Sequence, residues 1–209
     1  MKYSSNLLPV EKSTHGVAAV VIGGSAGALD VVRTVLKALP LSIAVPIAIV
    51  LHLPPRSADG LAQLLSADTA LKVKQAEDKE PLQAGTIYIA PSGYHLLIES
   101  NHALALSVDL PVHYSRPAID VLFESACDVY ANRLLGILLS GASQDGAAGM
   151  HAIHEAGGIT IVQEPTSAES SIMPASALAL FDPTYILSAA QIASTLPSLI
   201  TRATSHGLE

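Results

Sequence analysis

Three residues far apart in the 209-residue chain have the types needed for acyl transfer: Ser25, His52 and Asp145. A serine hydroxyl is a weak nucleophile until a base takes its proton. Imidazole is a base that titrates near neutrality, and a carboxylate can hold that imidazole in one tautomer. Ser25 lies in Gly23-Gly24-Ser25-Ala26-Gly27, which has the G-x-S-x-G spacing of a nucleophile elbow. Two other readings compete for the same turn. A phosphate-cradling loop needs G-x-G-x-x-G, and starting from Gly23 or Gly24 puts Ser25 or Ala26 in the second glycine's place. Small residues could also serve only to let a helix pack closely on a strand. Each member of the trio has its own structural alternative: Ser25 as a helix cap, His52 as a surface histidine in a proline turn, Asp145 as a cap for the helix after Gly146.

The elements around these residues favour the chemical reading. Val17–Ile22 is a β-branched apolar run that fits a buried strand, and Leu29, Val32, Val35, Leu36 and Leu39 recur at helical spacing. Ser25 therefore falls where a strand hands over to a helix N-terminus, with free N–H groups and a favourable dipole. Ile43–Leu51 predicts a second strand, followed at once by His52 and then Pro54-Pro55; Ser57 could cap a helix carrying Leu61, Leu64 and Leu65. A dinucleotide site would want Asp or Glu where His52 stands. Leu71–Ala76 and Thr86–Ala90 read as strands around a charged turn, and His95–Ile98 with Ala103–Val108 as an antiparallel hairpin at a sheet edge or insertion. Arg116-Pro117 opens a helix with Pro in its first turn and a stripe of Ile119, Leu122, Phe123, Ala126 and Val129. Leu134–Leu139 is a buried strand leading into the loop of Asp145, and the next helix is closed by Gly157-Gly158. Ile159–Val162, a helix over Ala175–Leu180, the strand Thr184–Leu187 and a capping box from Ser188 to Gln191 complete the chain.

Strands alternate with helices throughout, which predicts an α/β fold: a doubly wound, mostly parallel sheet in a Rossmann-like three-layer sandwich, with an antiparallel hairpin. Ligands of such sheets bind at the carboxyl ends of the strands. Ser25, His52 and Asp145 all follow strands, so they share one predicted rim.

Composition narrows the function. Apolar residues make up 50% and charged residues 14%, so most elements are buried on more than one face, and the net charge of −7 argues against a nucleic-acid groove. Cys127 is the single cysteine, in an apolar helical pattern, so it is read as an inert thiol in a reducing compartment. Leu41–Leu53 is too short to span a bilayer and contains Pro46 and His52, so a cytoplasmic protein without membrane insertion is expected. His151 and His154 share a helix face without a third ligand, and no metal or cofactor is expected; His95, His102 and His113 show no pattern. Residues 1–16 read as a mobile leader, 17–200 as one catalytic domain and 201–209 as a tail.

With these residues in view, the chain resembles the catalytic domain of the chemotaxis protein-glutamate methylesterases. The resemblance runs from about Val17 to Leu196 through VVIGGSAGALD, LHLPP, IYIAPSGYHL, SRPAIDVLF, GILLSGASQDGAAGM and GGITIVQEPTSAESSIMP. It implies Ser25 as nucleophile, His52 as base and Asp145 as orienting acid, in agreement with the reading from residue types. It also implies demethylation of glutamate γ-methyl esters on chemoreceptor cytoplasmic helices with release of methanol, and in some relatives deamidation of glutamines. Backbone N–H groups near Ala26 and Ala142 are the candidates to hold the oxyanion. The pattern departs from the family at Ala26 and Ala28 (usually Ser-Thr-Gly-Gly from the serine), at Ser140-Gly141-Ala142-Ser143 (usually Thr-Gly-Met-Gly) and at Ile172 (commonly Gly). The family's receiver domain is expected to be absent, which leaves two alternatives: a stand-alone esterase of an alternative chemosensory system, or control by a separate regulatory partner. A degenerate relative that binds a receptor without turnover is the alternative, and a nucleotide-binding module a third reading.

Overall fold

The computed structural model describes residues 16–53 and 60–201. The proposed leader up to Thr14-His15, the Pro54-Pro55 stop, the Ser57 cap and the tail from Arg202 on lie outside the described residues. Seven strands form one sheet: β1 (Ala19–Gly24), β2 (Ile47–Leu51), β3 (Lys72–Gln75), β4 (Thr86–Ile89), β7 (Leu134–Leu138), β8 (Ile159–Gln163) and β9 (Tyr185–Leu187). Their order is β3-β4-β2-β1-β7-β8-β9, and every pairing is parallel. β5 (His95–Ile98) and β6 (Leu104–Ser107) pair antiparallel as a separate two-stranded sheet.

The layers follow from which faces are apolar. On one face α1 (Ala28–Ala38), α2 (Leu61–Ser66) and α6 (Ala189–Thr201) bury Val32, Leu36, Leu65, Ile192 and Leu196 against Val20, Ile22, Ile49 and Ile137. On the other, α3 (Ile119–Tyr130), α4 (Ala147–Glu155) and α5 (Ile172–Leu178) bury Leu122, Phe123, Met150, Ile153 and Met173 against Val21, Val50, Leu138 and Val162. Alternate residues of the central strands thus feed opposite cores, which is why those strands read as unbroken apolar runs.

Four boundaries differ from the sequence expectation. β1 ends two residues later, because Gly23 and Gly24 stay in the sheet. Gly23 pairs with both Val50 and Leu138. β2 starts at Ile47 rather than Ile43, since Pro46 has no N–H to give a ladder, although its carbonyl still accepts from Val20 N–H at 3.0 Å. α3 starts at Ile119, so Pro117 precedes the helix instead of sitting in its first turn. α5 starts at Ile172, with Pro174 in its first turn, where the missing N–H costs nothing. The hairpin is not an edge of the main sheet: Leu96, Ile98 and Leu104 pack on Phe123 and Ala126, and Ser125 Oγ accepts Ile98 N–H at 3.1 Å. The Ser188–Gln191 capping box forms as expected, with Gln191 Oε1 accepting Ser188 N–H at 2.9 Å.

β1 is the switch point. From it the chain winds outward through β2 to β3 and β4, then returns to place β7 on β1's other side. The carboxyl ends of β2, β1 and β7 therefore lie side by side, and a crevice opens where the winding reverses.

Gly146 closes the loop after β7 at φ 93°, and a Cβ there would stand 2.5 Å from Leu138 Cδ1 and 2.7 Å from Ile119 Cγ2. Gly146→Ala should therefore destabilise the protein by roughly 2–4 kcal/mol, combining left-handed strain with overpacking, measured as a lowered midpoint in urea.

Candidate active site

Ser25 is the first residue beyond β1 and His52 the first beyond β2. Gly24 pairs with Leu51, and His52 N–H donates to the Gly24 carbonyl at 3.0 Å, so the two residues occupy the next rung of adjacent parallel strands. Rungs of that kind lie about 5 Å apart. The Ser25 hydroxyl caps nothing: Gly27, at φ 77°, is the N-cap of α1, with no side-chain hydrogen bond there. Ser25 Oγ is left without a hydrogen-bond partner among the described residues, His52 included.

Asp145 does not cap its own helix either. Its carboxylate is fully buried and caps α3 from across the crevice, accepting the N–H of Ile119 at 2.7 Å and of Asp120 at 2.9 Å. His52 Nε2 lies 2.8 Å from Asp145 Oδ2. The contact is short but bent, since the Nε2–H direction does not meet the oxygen within hydrogen-bond angles. Such alignments commonly tighten only when substrate is bound. Burial pushes the Asp145 pKa up, but the His52 contact and the two backbone donors outweigh it and hold the group below the usual carboxylate range. Asp145 is thus an anion fixed in place, and Nδ1 is the imidazole nitrogen turned away from it.

The walls come from backbone. Ser25 N–H is already committed to the Ser140 carbonyl at 2.9 Å. The N–H groups of Ala26 and Ala142 have no acceptor among the described residues. Gly141 brings the second of these close, because a Cβ on it would stand 3.0 Å from Ser25 Cβ. Ser140, also fully buried, ties the two loops together. Its hydroxyl donates to the Ala26 carbonyl at 2.6 Å and accepts Ser170 N–H at 2.9 Å, while its own N–H donates to Gln163 Oε1 at 2.8 Å. The clamp needs a hydroxyl, which Ser140 supplies. Ile172 is exposed at the start of α5, beside Met173, whose N–H donates to the Gly141 carbonyl at 2.9 Å.

Two neighbours escaped the sequence reading. Asp120 is buried, with Oδ1 accepting Gly149 N–H at 2.8 Å and Oδ2 lying 3.3 Å from His113 Nε2. Burial first, then the nearby Asp145 and Glu124 charges, push its pKa up to about 6, against the pull of the Gly149 N–H and His113. A ring nitrogen of His113 and carboxylate oxygens of Asp120 and Asp145 lie within 4.8 Å of one another. Those carboxylates already receive backbone N–H groups, so the cluster is accounted for by hydrogen bonds. His151 and His154 instead flank the Phe181 ring, at centroid distances of 5.6 and 4.9 Å. Ser115 Oγ lies 3.4 Å from His52 Nδ1. A pocket of about 200 Å³ opens beside His52, lined by Leu53, Leu61, Ser92, Tyr114, Ser115 and Arg116 among others.

Against known proteins, residues 20–196 match the family model described as CheB methylesterase. The chain belongs to the CheB methylesterase family. The crystal structure of the Thermotoga maritima CheB methylesterase catalytic domain superposes with a TM-score of 0.84 at 30% identity, covering 88% of this chain and all of that one. A Leptospira interrogans protein given the name putative protein-glutamate methylesterase/protein-glutamine glutaminase is 43% identical over 84% of this chain and 91% of its own. A Symbiobacterium thermophilum relative, named protein-glutamate methylesterase/protein-glutamine glutaminase, is 36% identical over 90% of this chain but only 51% of its own length. The Myxococcus xanthus protein-glutamate methylesterase FrzG is 36% identical over 85% of this chain and 53% of its own. The CheB methylesterase match thus covers all of the sheet but Ala19, and all three loops of the candidate site. No helix among the described residues is long and apolar enough to cross a membrane.

Proposed function

We propose that the chain, through a catalytic domain spanning residues 17–200, is a serine hydrolase that demethylates glutamate γ-methyl esters on the cytoplasmic helices of chemoreceptors. The observation that carries the reading is the fixed His52–Asp145 pair at 2.8 Å, on the rung next to a serine whose hydroxyl is otherwise uncommitted. Family membership and the relatives' names support the ester class.

In this reading Ser25 Oγ attacks the ester carbonyl and its proton passes to His52 Nδ1. Asp145 holds Nε2–H and stabilises the imidazolium as it forms. The carbonyl oxygen becomes an oxyanion facing the N–H groups of Ala26 and Ala142; one such donor is worth about 3 kcal/mol. The intermediate collapses as His52 returns the proton to the departing methoxide. Methanol leaves, and the glutamyl group stays on Ser25. Water then attacks the acyl carbonyl, again giving its proton to Nδ1, and Ser25 departs with that proton. A glutamine side chain would follow the same course with ammonia as the leaving group.

Methanol release from methylated receptor tests the reading. The wild type should release it and Ser25→Ala should lower the rate by at least ~1,000-fold with receptor binding retained. Tight receptor binding by the wild type with no methanol would instead select a non-catalytic binding module.

A further inference from the structure

His52 has one nitrogen left for proton transfer, Nδ1, and the hydroxyl within reach of it is not Ser25 but Ser115, at 3.4 Å. Ser115 reaches that position from an unusual turn. Val112 and Ser115 exchange both backbone hydrogen bonds, Val112 N–H to the Ser115 carbonyl at 3.1 Å and Ser115 N–H to the Val112 carbonyl at 2.8 Å. The two residues between them, His113 and Tyr114, both lie in the left-handed region, at φ 49° and 62°. That is the pattern of a type I′ turn, which favours Asn and Gly rather than His and Tyr. Non-glycine residues held there cost of order 1 kcal/mol each and persist where the surroundings over-determine them. The surroundings here are specific. His113 is anchored to buried Asp120, and Arg116 Nη1 ties the base of the segment to the carbonyls of Val108 and Asp109 at 2.7 and 3.0 Å. The turn delivers one hydroxyl to the base, in the pocket lined by His52, Ser92, Ser115 and Arg116.

We propose that Ser115 is a catalytic residue of the second half-reaction, holding the water that hydrolyses the glutamyl–Ser25 ester. This rests on the esterase reading given above. In the resting protein Ser115 O–H donates to Nδ1, which keeps the imidazole proton on Nε2 beside Asp145. Once methanol has left, a water can accept from Ser115 O–H and donate to Nδ1. An ordered water needs two to four polar partners, and Nδ1, Ser115 Oγ and the lining Ser92 are of that kind. The water oxygen bonds to the acyl carbon, its proton goes to Nδ1, and collapse breaks the carbonyl–Oγ bond of Ser25, which takes the proton. The first half-reaction uses no water, and without Ser115 the Asp145 carboxylate 2.8 Å from Nε2 still holds the proton there, so acylation survives the loss of Ser115.

The test is rapid-quench methanol release from a methylated receptor fragment, together with intact-mass analysis, for the full chain and its Ser115→Ala and Ser115→Thr variants. Ser115→Ala should keep a burst of about one methanol per enzyme, then turn over 10- to 100-fold more slowly, with a glutamyl adduct accumulating on the protein. Hydroxylamine, which needs no positioned water, should release that adduct, and Ser115→Thr should restore turnover. Steady-state and burst rates both within twofold of wild type would overturn the proposal. So would an equal loss of burst and turnover, which would mean that Ser115 only orients His52. If Ser25→Ala keeps the burst and Ser115→Ala abolishes it, Ser115 is the nucleophile, and the assignment of Ser25 fails as well.

Discussion

Asp145→Asn is expected to lower kcat/KM for methylated receptor by roughly 1,000- to 10,000-fold while leaving the fold intact, whereas Asp145→Ala is expected to lose both activity and stability. The asparagine side chain keeps an oxygen to accept from the α3 backbone N–H groups, so the cap survives in part. It cannot stabilise an imidazolium, and its amide can donate to Nε2, favouring the tautomer with the proton on Nδ1, where it blocks the base. Alanine goes further. It leaves the N–H groups of Ile119 and Asp120 without an acceptor in a site that is fully buried. Two orphaned donors and a cavity should cost about 3–5 kcal/mol, read as the shift in urea midpoint. The pH dependence has a definite sign. The folded Asp145 titrates below its ordinary value of 3.8. Its contribution is therefore complete above the unfolded pKa and is lost as pH falls through the folded one. The gap between wild type and Asp145→Ala should accordingly be widest near neutrality and narrow on acidification below about pH 4.

What the sequence could announce and what it could not divide along physical lines. The strands after which Ser25, His52 and Asp145 stand are short apolar runs, and a parallel sheet leaves one reading for where their ends go. That made the shared rim legible. The capping alternatives weighed for Ser25 and Asp145 were local rules, and local rules do not see across the crevice: Asp145 caps α3, from which it is separated by a strand and a loop. Nor does residue spacing reveal ring orientation, so the proposal of Nδ1 rather than Nε2 as the base rests on the 2.8 Å contact of Nε2 to Asp145. The His113–Tyr114 turn was invisible because neither residue is a turn former. Its conformation is imposed by Asp120 and by the backbone pairing of Val112 with Ser115. Asp120 stands in the first turn of α3, where helix-dipole preference alone is enough to account for an acid and gives no sign of burial. It is buried because α4 packs across it.

That burial gives the second large expectation. Asp120 titrates at about 6 in the folded protein, against 3.8 for an ordinary aspartate. A carboxyl whose folded pKa is raised stabilises the fold most when protonated, below its unfolded pKa. The advantage is lost as pH rises through the folded value. Ionised Asp120 is therefore a liability of up to about 3 kcal/mol at pH 8, since each tenfold change in proton affinity is worth about 1.36 kcal/mol. Asp120→Asn keeps an oxygen for Gly149 N–H and removes the charge beside Asp145. Its urea midpoint should exceed that of the wild type at pH 8, and the difference should vanish by about pH 4. The groups that face this carboxyl are Asp145 from the β7 loop, His113 from the turn and Glu124 from its own helix. Because His113 pulls the other way, His113→Gln should raise the Asp120 pKa further and deepen the wild-type stability loss, extending it to higher pH. A midpoint difference that stayed constant from pH 4 to pH 8 would mean that Asp120 carries no unusual proton. It would then be only the hydrogen-bond acceptor that joins α3 to the start of α4.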